Sequence, residues 1–123
     1  MPPIFPDDWP LGCPPPDAVD PNGDFFACHK ENPPSADDFK TAAEKGLHAD
    51  RDPCQRRGLS VCRTADDARE VMRRFPRAFR YVSKGVVGAE HGKVKKTAGP
   101  VPSHHTFWKC QTLTFQQLLT QVV

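Results

Sequence analysis

The stretch Leu59-Ser60-Val61-Cys62-Arg63-Thr64-Ala65-Asp66-Asp67-Ala68-Arg69-Glu70-Val71-Met72-Arg73-Arg74-Phe75-Pro76 changes its hydrophobic period partway along. Leu59 to Cys62 alternate as a strand does, with a period of about two, and the residues after Thr64 repeat with the period of about 3.6 that marks an amphipathic helix. Thr64 supplies a hydroxyl cap, and Asp66 and Asp67 meet the orphan amides and positive dipole of the first turn. Ala65, Ala68, Val71, Met72 and Phe75 fall on one face, Arg69, Glu70, Arg73 and Arg74 on the other, and Pro76 ends the helix. A strand followed by a helix is therefore the unit on which the fold is built.

The same signals recur upstream. Ser35-Ala36-Asp37-Asp38 repeats the capped start and predicts a helix to about Lys45, stopped at Gly46, with Phe39, Ala42 and Ala43 inward. Only the cap is shared by the two sites, so convergent capping explains the recurrence better than duplication. Phe25-Phe26-Ala27-Cys28-His29, after the turn residues Pro21-Asn22-Gly23-Asp24, reads as a short strand. A polar connection containing Pro53 runs from His48 to Arg57.

Downstream the pattern turns to β. Phe79, Tyr81, Val82, Val86 and Val87 form a run interrupted by Gly85, and Ala89-Glu90-His91-Gly92 predicts a turn into Lys93-Val94-Lys95-Lys96-Thr97 as the second arm of a hairpin. Lysines suit an edge strand, because charge blocks pairing by another chain. After a loop from Ala98 to Pro102, His104 to Cys110 reads as a strand, and Thr114 opens a terminal helix burying Phe115, Leu118, Leu119 and Val122. The expected fold class is α+β: one small domain with a mixed or antiparallel sheet of four to five strands, two to three helices and an extended Pro-rich N-terminal arm. Residues 1–22 form the arm and residues 23–123 the domain. Ten of the 14 prolines lie in the first 34 positions, where fixed φ and missing donors exclude a long helix or central strand.

A chain of 123 residues with 37% hydrophobic and 26% charged residues fits one core. No apolar run approaches the roughly 18 residues of a membrane span, and no leader pattern opens the chain, so a cytoplasmic protein with no membrane partner is expected. Five cysteines, Cys13, Cys28, Cys54, Cys62 and Cys110, are then expected as reduced thiols. A zinc set would have to combine Cys28 and His29 with Cys54, His104, His105 or Cys110. No close ligand pair preorganises such a site, and neither metal nor cofactor is expected.

The net charge of +2 conceals an asymmetry. Residues 1–50 hold three lysines against ten acids, whereas residues 51–123 hold nine arginines and five lysines against five acids. Either the acidic half folds onto the basic half, or a basic face is displayed to a polyanion. Arg51, Arg56, Arg57, Arg63, Arg80, Lys84 and Lys109 belong to this basic complement, interleaved with Phe79, Tyr81, Phe107 and Trp108. Its sharpest parts are Arg69, Arg73, Arg74 and Arg77 at helical spacing and Lys93, Lys95 and Lys96 on the lysine-rich strand. Guanidinium groups beside aromatic rings can hold phosphates and stack bases.

Three histidines, His104, His105 and His91, are the catalytic candidates. An imidazole that titrates near neutrality beside a cation that stabilises a phosphoryl oxygen is the equipment of RNA cleavage. Alternation along a strand allows only one of His104 and His105 to enter a given pocket. His104-His105-Thr106 makes one His-x-Thr triplet, and none of His29, His48 or His91 supplies the second that two-histidine phosphoesterases need. Phosphate-loop, nucleophile-elbow and dinucleotide-fingerprint patterns are absent from the sequence. A transferase using a nicotinamide dinucleotide fits only the length and class, with Glu90 or Glu70 as its acid on position alone. The leading expectation is a small binding protein that engages an anionic partner, nucleic acid or an acidic protein surface, through its basic C-terminal portion. A ribonuclease-like or toxin-like enzyme is the rival, and an assembly protein docking through the Pro-rich arm is the third reading.

Overall fold

The structure is a computed structural model that describes residues 2–123; Met1, the first residue of the expected arm, lies outside the described residues. In chain order its regular elements are β1 (Gly23–His29), α1 (Ala42–Lys45), β2 (Leu59–Val61), α2 (Ala65–Arg74), β3 (Tyr81–Val87), β4 (Gly92–Lys96), β5 (His105–Lys109), α3 (Phe115–Leu118) and β6 (Gln121–Val122). Short 3-10 turns at Ala36–Phe39, Gln55–Arg57 and Ala89–His91 link them. Every strand pairing is antiparallel.

Two three-stranded sheets, ordered β1-β3-β6 and β2-β5-β4, replace the single expected sheet of four to five strands. They meet along one seam, where Phe26 N donates to Cys62 O at 2.9 Å and Cys62 N to Phe26 O at 2.8 Å. The period of two then sorts side chains to two faces. Phe25, Ala27, Val61, Val87, Val94 and Phe107 join Phe39, Phe115, Leu118 and Leu119 in the larger core. Phe26, Cys62, Val82 and Val101 face the other way and receive Ala68 of α2, with Ala65, Val71 and Met72 around it. Burial of α2's apolar face is what fixes it across the seam, since a ten-residue helix is marginal alone.

Several sequence expectations need correction. β3 and β4 are not a hairpin: β3 pairs with β1 and β6, and β4 with β5. The turn between them carries the chain from one sheet to the other, held by Gly88 N donating to His91 Nδ1 at 2.9 Å. Gly92, at φ +154°, makes that crossing possible, because a Cβ there would collide with Trp108 O. The expected helix over 36–45 is two pieces. Thr41 interrupts it by starting a new cap, accepting from Glu44 N at 3.3 Å while its own amide donates to Glu44 Oε1 at 3.0 Å. The β run begins at Tyr81, not Phe79, and Val122 is exposed in β6 instead of buried on a longer terminal helix.

Residues 2–22 are not one extended arm. Three turns, closed by Trp9 N to Pro6 O, Cys13 N to Pro10 O and Ala18 N to Pro15 O, fold them over the body. Phe5 stacks on Trp9 with centroids 5.4 Å apart, and Gln111 N donates to Ile4 O at 2.8 Å. Cys13 and Cys54 form a disulfide, contrary to five reduced thiols; Cys28, Cys62 and Cys110 are free. Spacing alone does not show such a pair, since 41 residues separate the partners. Among the described residues no helix is long and apolar enough to cross a membrane.

Candidate anion-binding cleft

A cleft of about 510 Å³ opens over the seam between the sheets. That volume lies within the range of small-molecule sites. Phe26 and Cys28 from β1, Ser60 from β2 with Cys62 after it, and His104 and Thr106 at the start of β5 contribute from the sheet side. The end of α2 and the turn after it add Val71, Phe75, Ala78 and Phe79. The remaining wall is the segment from Asp38 to Arg56, which brings Lys40, Lys45, His48, Arg51 and Arg56 to one opening.

The charge of this wall is one-sided. Asp38 is its single acid, and its carboxylate is committed to local structure: it accepts from the amides of Lys30 at 2.8 Å, Ser35 at 2.9 Å and Glu31 at 3.2 Å. Partial burial pushes that carboxyl up, but the hydrogen bonds from Lys30, Ser35 and Glu31 outweigh it and hold the group below the usual carboxylate range. Lys40 pairs with Asp37 at 3.0 Å, and Arg56 Nε donates to Leu47 O at 2.9 Å. That bond leaves the terminal nitrogens of Arg56 available, and Lys45 and Arg51 have no carboxylate partner among the described residues.

His104 and Thr106 are the buried polar residues of the sheet side, and His104 is the titratable one. Its Nδ1 lies 3.2 Å from Thr97 O and 3.0 Å from Thr97 Oγ1. A carbonyl oxygen only accepts, so the contact with Thr97 O favours the tautomer protonated on Nδ1, with the lone pair on Nε2. Nε2 has no protein partner among the described residues yet is not sealed from solvent, so it is the ring atom able to accept from a molecule in the cleft. Burial pushes the imidazole's pKa down, and the neighbouring His105 adds to this, while the Thr97 carbonyl opposes it. The balance favours the neutral ring.

The other expected site residues are dispersed. His105 turns to the opposite face, edge-on to Phe25 at 6.3 Å, with Nδ1 on Ser103 O at 2.7 Å. His91 serves the turn after β3, and its Nε2 lies 3.4 Å from Glu90 Oε1. Arg73 and Arg74 both bond Glu70, and Arg69 lies 3.7 Å from Asp66. The hydrogen bond from Arg73, supported by Arg74, holds Glu70 down at about 2. Arg77 and Lys96 are exposed. Lys93 meets Asp20 at 2.6 Å and Lys95 meets Asp17 at 2.8 Å, so the acidic first segment does sit on two of the expected binding lysines. The guanidinium groups of Arg69, Arg73 and Arg74, in contrast, pair within α2. Neither Glu70 nor Glu90 lines the cleft. Among the described residues no three His, Cys, Asp or Glu side chains converge as a metal site, and Cys54 is held in the disulfide.

Of the cleft cations, Arg51 and Arg56 are legible in the sequence as members of the basic complement, whereas Lys40, Lys45 and His48 are not. They lie around a helix boundary and a polar connection, and only the tertiary fold turns them toward the seam. No family model, curated protein or solved structure matches the chain.

Proposed function

We propose that this is a binding protein for an anionic partner, and that the partner is single-stranded nucleic acid held at the cleft. The observation that carries the reading is the juxtaposition of Lys45, Arg51 and Arg56 with Phe75 and Phe79 around one opening. Cations hold phosphates, an exposed ring offers a stacking face for a base, and Phe75 is 48% exposed. An acidic protein surface would use the cations and leave the rings without a role. Arg74 and Arg77 flank Phe75 in sequence and extend the charge beyond the cleft.

The test is titration of a fluorescent single-stranded RNA at two salt concentrations. With three phosphates neutralised, affinity falls about 20-fold between roughly 50 and 200 mM salt, and Arg51→Ala with Arg56→Ala flattens that dependence. Arg73→Ala with Arg74→Ala weakens binding less, because both side chains already share Glu70. Affinity unchanged by salt overturns the reading.

A second reading, RNA cleavage at the same cleft, is favoured by one observation, the ring of His104 lining the cleft with the cations while its Nε2 has no protein partner among the described residues. Incubation of RNA with the protein and with His104→Ala decides it: cleavage lost in the variant supports the reading, and no cleavage by either protein removes it. As to setting, the closed Cys13–Cys54 bond supports an oxidising environment over the cytoplasmic one expected from the sequence.

A further inference from the structure

β4 is the outer strand of its sheet, and the chain's own residues 17–20 lie along it. Val19 N donates to Val94 O and Val94 N to Val19 O, both at 2.8 Å. Asp20 and Asp17, on either side of Val19, reach Lys93 and Lys95, on either side of Val94. Val19 itself is 60% exposed. The contact therefore consists of a backbone bridge and two ion pairs, with little side-chain burial. Those are the terms on which a sheet edge accepts a foreign strand, where main-chain hydrogen bonds give affinity and flanking side chains give selectivity.

The seat is closed by covalent means. Four residues before Asp17, Cys13 is bonded to Cys54, and on the other side Arg63 Nη2 holds Asn22 O at 2.9 Å. Residues 14–21 are thus a strap fixed at both ends across the β4 edge. Without the disulfide, the N-terminal end of the strap is held through the bond from Gln111 N to Ile4 O, nearer the start of the chain.

We propose that the Lys93/Lys95 edge of β4 is a docking strand for an extended acidic segment of a partner protein, and that residues 17–20 occupy it as a tethered pseudo-ligand. Two carboxylates flanking a pair of apolar residues, as Asp17 and Asp20 flank Ala18 and Val19, define the segment's pattern. A dithiol reductant opens the strap: its two thiols become a disulfide, two electrons pass to the Cys13–Cys54 bond, and each of these cysteines leaves as a thiol carrying one of the protons. This inference is independent of nucleic-acid binding at the cleft.

The probe is a fluorescent peptide copying residues 15–22, titrated onto the full chain, onto Cys13→Ser with Cys54→Ser, and onto that pair combined with Lys93→Glu and Lys95→Glu. The opened protein is expected to bind at least tenfold more tightly than the closed one, and the glutamates to abolish the gain. Equal binding to closed and opened protein, or binding indifferent to Lys93→Glu and Lys95→Glu, overturns the proposal, as does dimerisation of the opened protein without peptide uptake. Should the opened variant lose its fold, amide exchange on the intact disulfide-bonded protein replaces it. Lys93→Glu with Lys95→Glu is then expected to speed exchange at Val19 at least tenfold while Phe107 keeps its protection, and unchanged exchange at Val19 overturns the proposal.

Discussion

His104 shows how much one side chain's surroundings decide. An exposed imidazole would be partly protonated at neutrality, but here burial favours the neutral ring against the opposing contact of Nδ1 with Thr97 O, and Nε2 has no protein partner among the described residues. The folded pKa lies below that of the unfolded chain, so on acidification the unfolded state takes up the proton first. The associated stability is present above the ordinary histidine pKa and is lost as the pH falls through it toward the lower folded value. Urea midpoints measured from about pH 8 down to about pH 5 are therefore expected to decline, and His104→Gln to remove part of that decline. A variant with the same slope as the parent would show that His104 titrates alike in both states. The alternation rule already separates His104 from His105 in the sequence. Which of the two faces a cleft is not legible there, because that depends on Phe25 claiming the other face.

Among the elements, the outcome divides by the range of the forces involved. β2 and α2 are legible because cap, period and proline stop all lie within one stretch, and the structure places α2 over Ala65–Arg74. The 36–45 segment reads as one helix because Thr41 is both an ordinary helix residue and a better N-cap, and the Glu44 side chain decides for the cap. The β3 to β4 connection reads as a hairpin because a short turn between two β runs looks the same whether or not they pair. Gly85 is the informative residue of β3. A Cβ there would collide with Leu118 O, so the glycine is what allows the end of α3 to approach the strand. Gly85→Ala is expected to cost about 1–3 kcal/mol by overpacking, read as a lowered urea midpoint. Stability equal to that of the parent would mean that α3 is not seated on β3.

On the scale of the molecule, sequence-distant segments close the structure. The acidic opening residues neutralise Lys93 and Lys95, while the cleft cations come from residues 40–56, a distribution that charge arithmetic over halves cannot resolve. Asp17 is held below the usual carboxylate range by its hydrogen bond to Lys95, so this contact persists at neutral pH and weakens as acid protonates it. The Cys13–Cys54 bond closes a loop of 41 residues. By loop-closure entropy, Cys13→Ser with Cys54→Ser is expected to lower stability by about 4 kcal/mol in chemical denaturation. A loss near zero would contradict this loop-closure argument, showing either residual order in the unfolded chain or release of the opening segment from the folded one.

On the function proposed, the cleft at the seam is where the partner is held. Titrating isotopically labelled protein with a short single-stranded RNA, and following amide and side-chain resonances, tests this most directly. Shifts are expected to concentrate on residues 40–56, Phe75, Phe79 and the ring of His104, leaving Lys93 and Lys95 unmoved beneath the opening segment. Shifts confined to α2's arginines or to β4, or no shifts at all, would contradict it.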